Sequence, residues 1–190
     1  ANIMCGISGL IYMNKGIKYP ENYLKKMTER VSHRGPDGNG IYTYQNVGFG
    51  HTRLSIIDLS KKGRQPMNYK NKYTITYNGE IYNYKELRDK LTGMGYKFSN
   101  ETDTEVILAA YDHWGQKCVE KFNGMWAFAI HDKDSEIIFL SRDRFGIKPL
   151  YYLSTGDKFL FGSEIKQLLQ FSNRKANFDR IYDYLILSKD

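Results

Sequence analysis

Seven short runs rich in β-branched, aromatic and glycine residues alternate with helical patterns, which confines this chain to a mixed α+β fold. The β-like runs are residues 6–13, 47–53, 73–77, 126–131, 137–141, 150–153 and 159–161. Helical patterns cover 22–33, with Tyr23, Leu24, Met27 and Val31 on one side, then 83–91, halted at Gly93, and 178–187. A further helix is predicted to run to Trp114 behind Thr102 as N-cap, with Glu105 three positions on completing a capping box. Arg34-Gly35-Pro36-Asp37-Gly38 reads as a turn, because proline and two glycines cannot continue a helix. Strands this short and helices this few suggest two sheets covered by helices, and several mixed architectures meet that description.

The 190 residues fit one domain with a short tail. The net charge of +7 raises nucleic-acid binding, but Lys and Arg are scattered, and Lys25-Lys26 and Lys61-Lys62 are the nearest approach to a run. With no zinc-finger, basic-zipper or RNA-binding motif, no nucleic-acid partner is expected, and the excess charge suits solubility or an acidic partner. No apolar stretch approaches the roughly 20 residues of a membrane span, and no signal segment opens the chain. No membrane partner and a cytoplasmic address are therefore expected. His33, His51, His113 and His131 show no ligand spacing, so no metal is expected. Two cysteines make no disulfide framework, and Cys118 reads as a small core hydrophobe.

Cys5 is the candidate nucleophile. An ordinary thiol of pKa about 8.5 is only a few per cent thiolate at pH 7 and needs a base. A free α-amine, with a pKa of about 7.7–8.0, is well matched to that thiol. A Cys5 at the head of the chain would therefore carry its base on its own backbone. Gly6 behind it leaves room for a substrate carbonyl. On these grounds alone the nucleophile reading is weak, since a near-terminal cysteine in a strand is more often a buried structural thiol.

Six words in order change that balance. They are Met4-Cys5-Gly6-Ile7-Ser8-Gly9, His33-Arg34-Gly35-Pro36-Asp37-Gly38, His51-Thr52-Arg53-Leu54-Ser55-Ile56-Ile57-Asp58, Asn78-Gly79-Glu80-Ile81-Tyr82-Asn83, Thr102-Asp103-Thr104-Glu105, and the run from Ser141-Arg142-Asp143-Arg144-Phe145-Gly146 through Ile147-Lys148-Pro149-Leu150-Tyr151-Tyr152. Together, from Cys5 to about Gln170, they resemble the class II glutamine amidotransferase domain of glutamine-hydrolysing asparagine synthetases. The resemblance implies an N-terminal-nucleophile hydrolase fold, a four-layer αββα sandwich with two antiparallel sheets. It implies that Cys5 attacks the glutamine side-chain amide and that the Asn78 side chain and Gly79 N–H hold the oxyanion. It implies that Arg53, with main-chain groups of Leu54 and Ile56, binds the α-carboxylate, while Glu80 and Asp103 clamp the ammonium. Residues 34–38 would shape the pocket.

Two departures accompany the match. Four residues, Ala1-Asn2-Ile3-Met4, precede Cys5, so its nitrogen is an amide and not a base. Met4 as true initiator, with 1–3 an upstream remnant, is the expectation, and little glutaminase activity is expected while they remain. The Ser-Gly-Gly-x-Asp-Ser phosphate loop of the synthetase half is missing from the sequence. The expected division is 1–4 as extra residues, 5–175 as glutaminase domain, and 176–190 as the start of a linker to a C-terminal synthetase domain. That domain, the partner besides L-glutamine, would use the ATP and magnesium, and the glutaminase domain needs no cofactor. A homodimer is compatible with the sequence. Rival readings keep the chemistry but send ammonia to a sugar carboxylate in lipopolysaccharide-type surface polysaccharides, or treat the domain as a non-catalytic docking module.

Overall fold

The computed structural model describes residues 4–14, 21–54, 63–172, 175 and 177–187. Ile56 and the Lys61-Lys62 pair lie outside them. Among the described residues nine strands form two sheets, and all their pairings are antiparallel. The first has the order β2-β3-β1-β9-β8, from Gly38–Tyr44 (β2), Val47–Arg53 (β3), Gly6–Tyr12 (β1), Lys158–Gly162 (β9) and Tyr151–Ser154 (β8). The second has the order β4-β5-β6-β7, from Met67–Tyr69 (β4), Tyr73–Ile81 (β5), Gly124–Asp132 (β6) and Ile137–Arg142 (β7).

The period-2 alternation of the strands assigns the layers. On β1, Ile7 and Ile11 join Val47, Phe49 and Phe161 against Ala127 and Ala129 of β6, which fills the space between the two sheets. Small alanines on one sheet accept the large rings of the other. The opposite face of β1, Leu10 and Tyr12, packs on Met27 of α1 (Glu21–Glu29) and on Leu168. The outer face of the second sheet, Ile75, Tyr77, Phe128 and Ile130, packs on α2 (Tyr84–Gly93) and α3 (Asp103–Trp114). The layers are therefore helix, sheet, sheet, helix. Fully buried Cys118 belongs to the core cluster under α3.

Several boundaries differ from the sequence expectation for physical reasons. Strand β2 was unpredicted: its two glycines and exposed outer positions dilute the pattern, and its ladder to β3 holds it. Strand β4 is too short to read. Asn78-Gly79, a turn dipeptide by itself, lies within β5, because pairing with β6 continues from Tyr73↔Asp132 to Ile81↔Gly124. Helix α1 ends at Glu29, and a 3-10 turn over Ser32–Arg34 replaces its predicted last turn. The capping box is half formed. Thr102 Oγ1 accepts from Glu105 N at 3.3 Å, but the Glu105 carboxylate bonds Ser99 and Asn100 rather than Thr102 N, which donates to Asn100 Oδ1. Helix α4 (Phe178–Leu187) forms as expected, with Phe178, Tyr182 and Leu185 largely exposed. Among the described residues no helix is long and apolar enough to cross a membrane.

Among the described residues three side-chain hydrogen bonds cross between the sheets, one of them between Tyr42 Oη and His131 Nδ1 at 3.1 Å. Thr76 Oγ1 donates to Gly50 O at 3.0 Å, and His51 Nε2 bonds Tyr77 O at 3.0 Å, which makes His51 the donor. Burial of the ring pushes the His51 pKa down to about 4. The unfolded chain, at the ordinary value of about 6.5, therefore takes the proton first. At pH 7 both states are neutral and His51 costs nothing. As the pH falls from about 6.5 towards 4 this group removes up to about 3 kcal/mol of stability. Denaturant unfolding across that range should show His51→Gln losing stability less steeply than the parent; parallel curves would refute the assignment.

Candidate active site

Cys5 sits just before β1, the centre of the first sheet, and lines a pocket with residues of β3 from the first sheet and β5 from the second. Its Sγ accepts from Leu54 N at 3.3 Å and lies 3.5 Å from Leu54 O, to which the thiol donates. Arg34 Nε donates to Cys5 O at 3.0 Å, while Arg34 Nη1 reaches Glu164 Oε1 at 3.1 Å. This buried guanidinium anchors the Cys5 backbone. Gly35 must be glycine here, because a Cβ would stand 2.4 Å from the Thr52 carbonyl carbon. The following Asp37 N–H bonds Arg53 O at 3.0 Å and fixes the backbone that carries Arg53. Burial raises the Cys5 pKa, opposed by the Leu54 N–H and the cations Arg53, Lys148 and Arg34.

Strand β5 supplies the opposite wall, and its alternation separates two jobs. Thr76, Asn78 and Glu80 share the face toward the first sheet; buried Asn78 points its Nδ2 with no protein partner among the described residues. Trp126 uses its N–H and C=O on Asp143, on the far side of β6, so Gly79 opposite it is a non-hydrogen-bonded pair. The N–H groups of Tyr77, Gly79 and Ile81 thus all turn away from β6. Tyr77 N donates to Gln65 Oε1 at 2.6 Å, and Ile81 N donates to Asp103 Oδ2 at 3.0 Å. The Gly79 N–H points the same way, between those two. A side chain at Gly79 is impossible, since its Cβ would lie 2.3 Å from Met125 O.

Asp103, at the start of α3, is buried and accepts from Tyr77 Oη at 2.7 Å. Burial raises its pKa, opposed by the Ile81 and Tyr77 donors. Arg53, Leu54, Glu80 and Asp103 line the same pocket as Cys5, Asn78 and Gly79. Seven of the eight residues singled out from the sequence therefore converge, and Ile56 lies outside the described residues. His51, Gln65, Tyr77, Thr104 and Lys148 also line the pocket and were not singled out. His51 and Lys148 stand inside the quoted words, but the words alone give neither a role. Gln65 had none, because its contact with Tyr77 N comes from the fold.

A family model described as the glutamine amidotransferase domain matches residues 4–189. The chain belongs to that family. This amidotransferase domain is 44% identical to a Methanocaldococcus jannaschii protein named as a glutamine-hydrolyzing asparagine synthetase, over 93% of this chain and 38% of that one. It is 43% identical to asparagine synthetase (glutamine-hydrolyzing) 3 of Bacillus subtilis, over 93% of this chain and 29% of that one. The domain thus spans well under half the length of these relatives. Among solved structures it matches a glutamine phosphoribosylpyrophosphate amidotransferase from B. subtilis, with TM-score 0.71 and 19% identity over 86% of this chain and 43% of that one. It also matches the allosteric regulatory enzyme of purine biosynthesis, with TM-score 0.73 and 19% identity over the same shares. These two likenesses concern the fold, which is a four-layer αββα sandwich with two antiparallel sheets.

Proposed function

We propose that this domain hydrolyses L-glutamine to glutamate and ammonia through a thioester on Cys5, once processing has given Cys5 a free α-amine. The observation that carries the reading is that Cys5 lines one pocket with Asn78, whose buried Nδ2 has no partner among the described residues. The α-amine takes the thiol proton as sulfur attacks the amide carbon. Asn78 Nδ2 and the Gly79 N–H hold the resulting oxyanion, and the protonated amine returns its proton to the leaving nitrogen. Water then attacks the thioester and releases glutamate and the thiol. Arg53 matches the substrate carboxylate, its hold completed by main-chain groups of Leu54 and Ile56, and Glu80 with Asp103 matches the ammonium.

The ammonia is delivered, in this reading, to an ATP-dependent unit of asparagine synthetase type outside these 190 residues. The relatives' names support that acceptor class, and no observation on this domain favours a sugar acid or a purely docking role. The test is incubation of the chain beginning at Cys5 with L-glutamine, following both products. Saturable release of glutamate and ammonia in equal amounts is expected. A folded chain that releases neither would overturn the reading.

A further inference from the structure

Lys148 is 143 positions from Cys5 in sequence, and it lines the Cys5 pocket, the residue keeping 7% exposure. Among the described residues no carboxylate lies within ion-pair distance of Nζ, whose one hydrogen-bond contact is Met4 Sδ at 3.0 Å. A buried cation served only by a thioether is costly, and a dedicated loop holds it there. The Asp143 carboxylate accepts from four main-chain N–H groups, those of Trp126, Phe145, Ile147 and Lys148, at 2.9–3.2 Å. Arg142 locks the same loop from outside, Nε donating to Lys148 O at 2.8 Å and Nη2 to Gly146 O at 2.6 Å. Gly146 takes φ +64°, and a Cβ there would stand 2.9 Å from the Arg142 guanidinium. So much local structure fixes one side chain.

We propose that Lys148 is a positioning residue of the glutaminase site, whose ammonium beside Cys5 keeps the α-amine of the processed chain neutral and so able to act as base. The proposal rests on the Cys5 reading above. Met4 Sδ touches Nζ and Met4 is bonded to the Cys5 nitrogen, so the ammonium lies within about 9 Å of that nitrogen, a separation at which charges in a shielded site still interact. A cation disfavours the ammonium form of a neighbouring amine and favours the thiolate form of a neighbouring thiol. Cys5 is faced by Arg34 from the 3-10 turn, Arg53 from β3 and Lys148 from the loop after β7; Glu80 and Tyr77 of β5 and Asp103 of α3 face the same pocket. Arg34 is held by Glu164, whereas among the described residues no carboxylate lies within ion-pair distance of Lys148 Nζ. Its own pKa is lowered by burial and by Arg34, and Cys5, Glu80 and Asp143 oppose that.

The experiment measures glutamine hydrolysis from pH 5.5 to 9.5 by the chain beginning at Cys5, with Lys148→Met and Lys148→Arg. The acid limb reports the group that must be neutral. The parent limb is expected below the ordinary α-amine value of about 7.7, displaced upward by about one pH unit in Lys148→Met and restored by Lys148→Arg. A folded Lys148→Met that is slower at every pH with an unmoved limb overturns the proposal. Should Lys148→Met not fold, the parent decides alone, since a limb at or above about 7.7 also overturns it. Labelling of Cys5 by 6-diazo-5-oxo-L-norleucine separates the two levels. An adduct with an unmoved limb defeats the role of Lys148 only, whereas no adduct at any pH defeats the nucleophile reading with it.

Discussion

Glutamine hydrolysis by the chain that begins at Cys5 is expected to exceed that by the chain retaining Met4 by about 10²–10⁴-fold, the usual worth of a positioned general base. With Met4 in place the Cys5 nitrogen is an amide, which cannot take a proton from the thiol. Burial also raises the thiol pKa, so little thiolate forms unaided at pH 7. The Met4 side chain lines the same pocket and reaches Lys148, which leaves less room for substrate. Steady-state rates with matched unfolding midpoints provide the comparison. Replacing Met4 by alanine while keeping the peptide bond should recover little, because the missing base matters more than the crowding. Equal rates with and without Met4 would show that the α-amine is not the base.

Asn78→Ala is expected to lower kcat by about 10²–10³-fold with a much smaller change in KM. The reason lies in the geometry of β5. Asn78 is buried on the strand face toward Cys5, and its Nδ2 has no partner among the described protein groups. A buried amide donor without a partner is tolerated where a ligand will supply one. That donor is of most use to the oxyanion, which carries full charge only during reaction, so its loss should weigh on kcat. Ala127, opposite Asn78 on β6, is small and leaves the strand pairing undisturbed by the substitution. An equal rise in KM with unchanged kcat would place Asn78 on the ground-state substrate instead.

The residues proposed to act through their own side chains were legible in the sequence, because Cys5, Arg53, Asn78, Glu80 and Asp103 sit inside recognisable words. The devices that aim them were not. Gln65 and Asp103 capture the Tyr77 and Ile81 N–H groups on either side of Gly79, an arrangement set by β5–β6 register. Asn78-Gly79 itself reads as a turn until its pairing with β6 is known, since the ladder overrides the local preference. Lys148 stood in a quoted word without a role, because only the folded loop around Asp143 shows it entering the pocket. Core strands such as β3 and helix α4 matched their patterns end to end. Edge strand β2, with few buried side chains, left almost no pattern to read.

The central claim is that Cys5, with a free amine, is the nucleophile, and mass spectrometry after treatment with 6-diazo-5-oxo-L-norleucine tests it most directly. The chain beginning at Cys5 should gain one adduct, mapped to Cys5, and L-glutamine should protect it. Cys118, fully buried with its pKa pushed up to about 12, should remain unmodified. An adduct on Cys118, or a folded chain with none, would contradict the account.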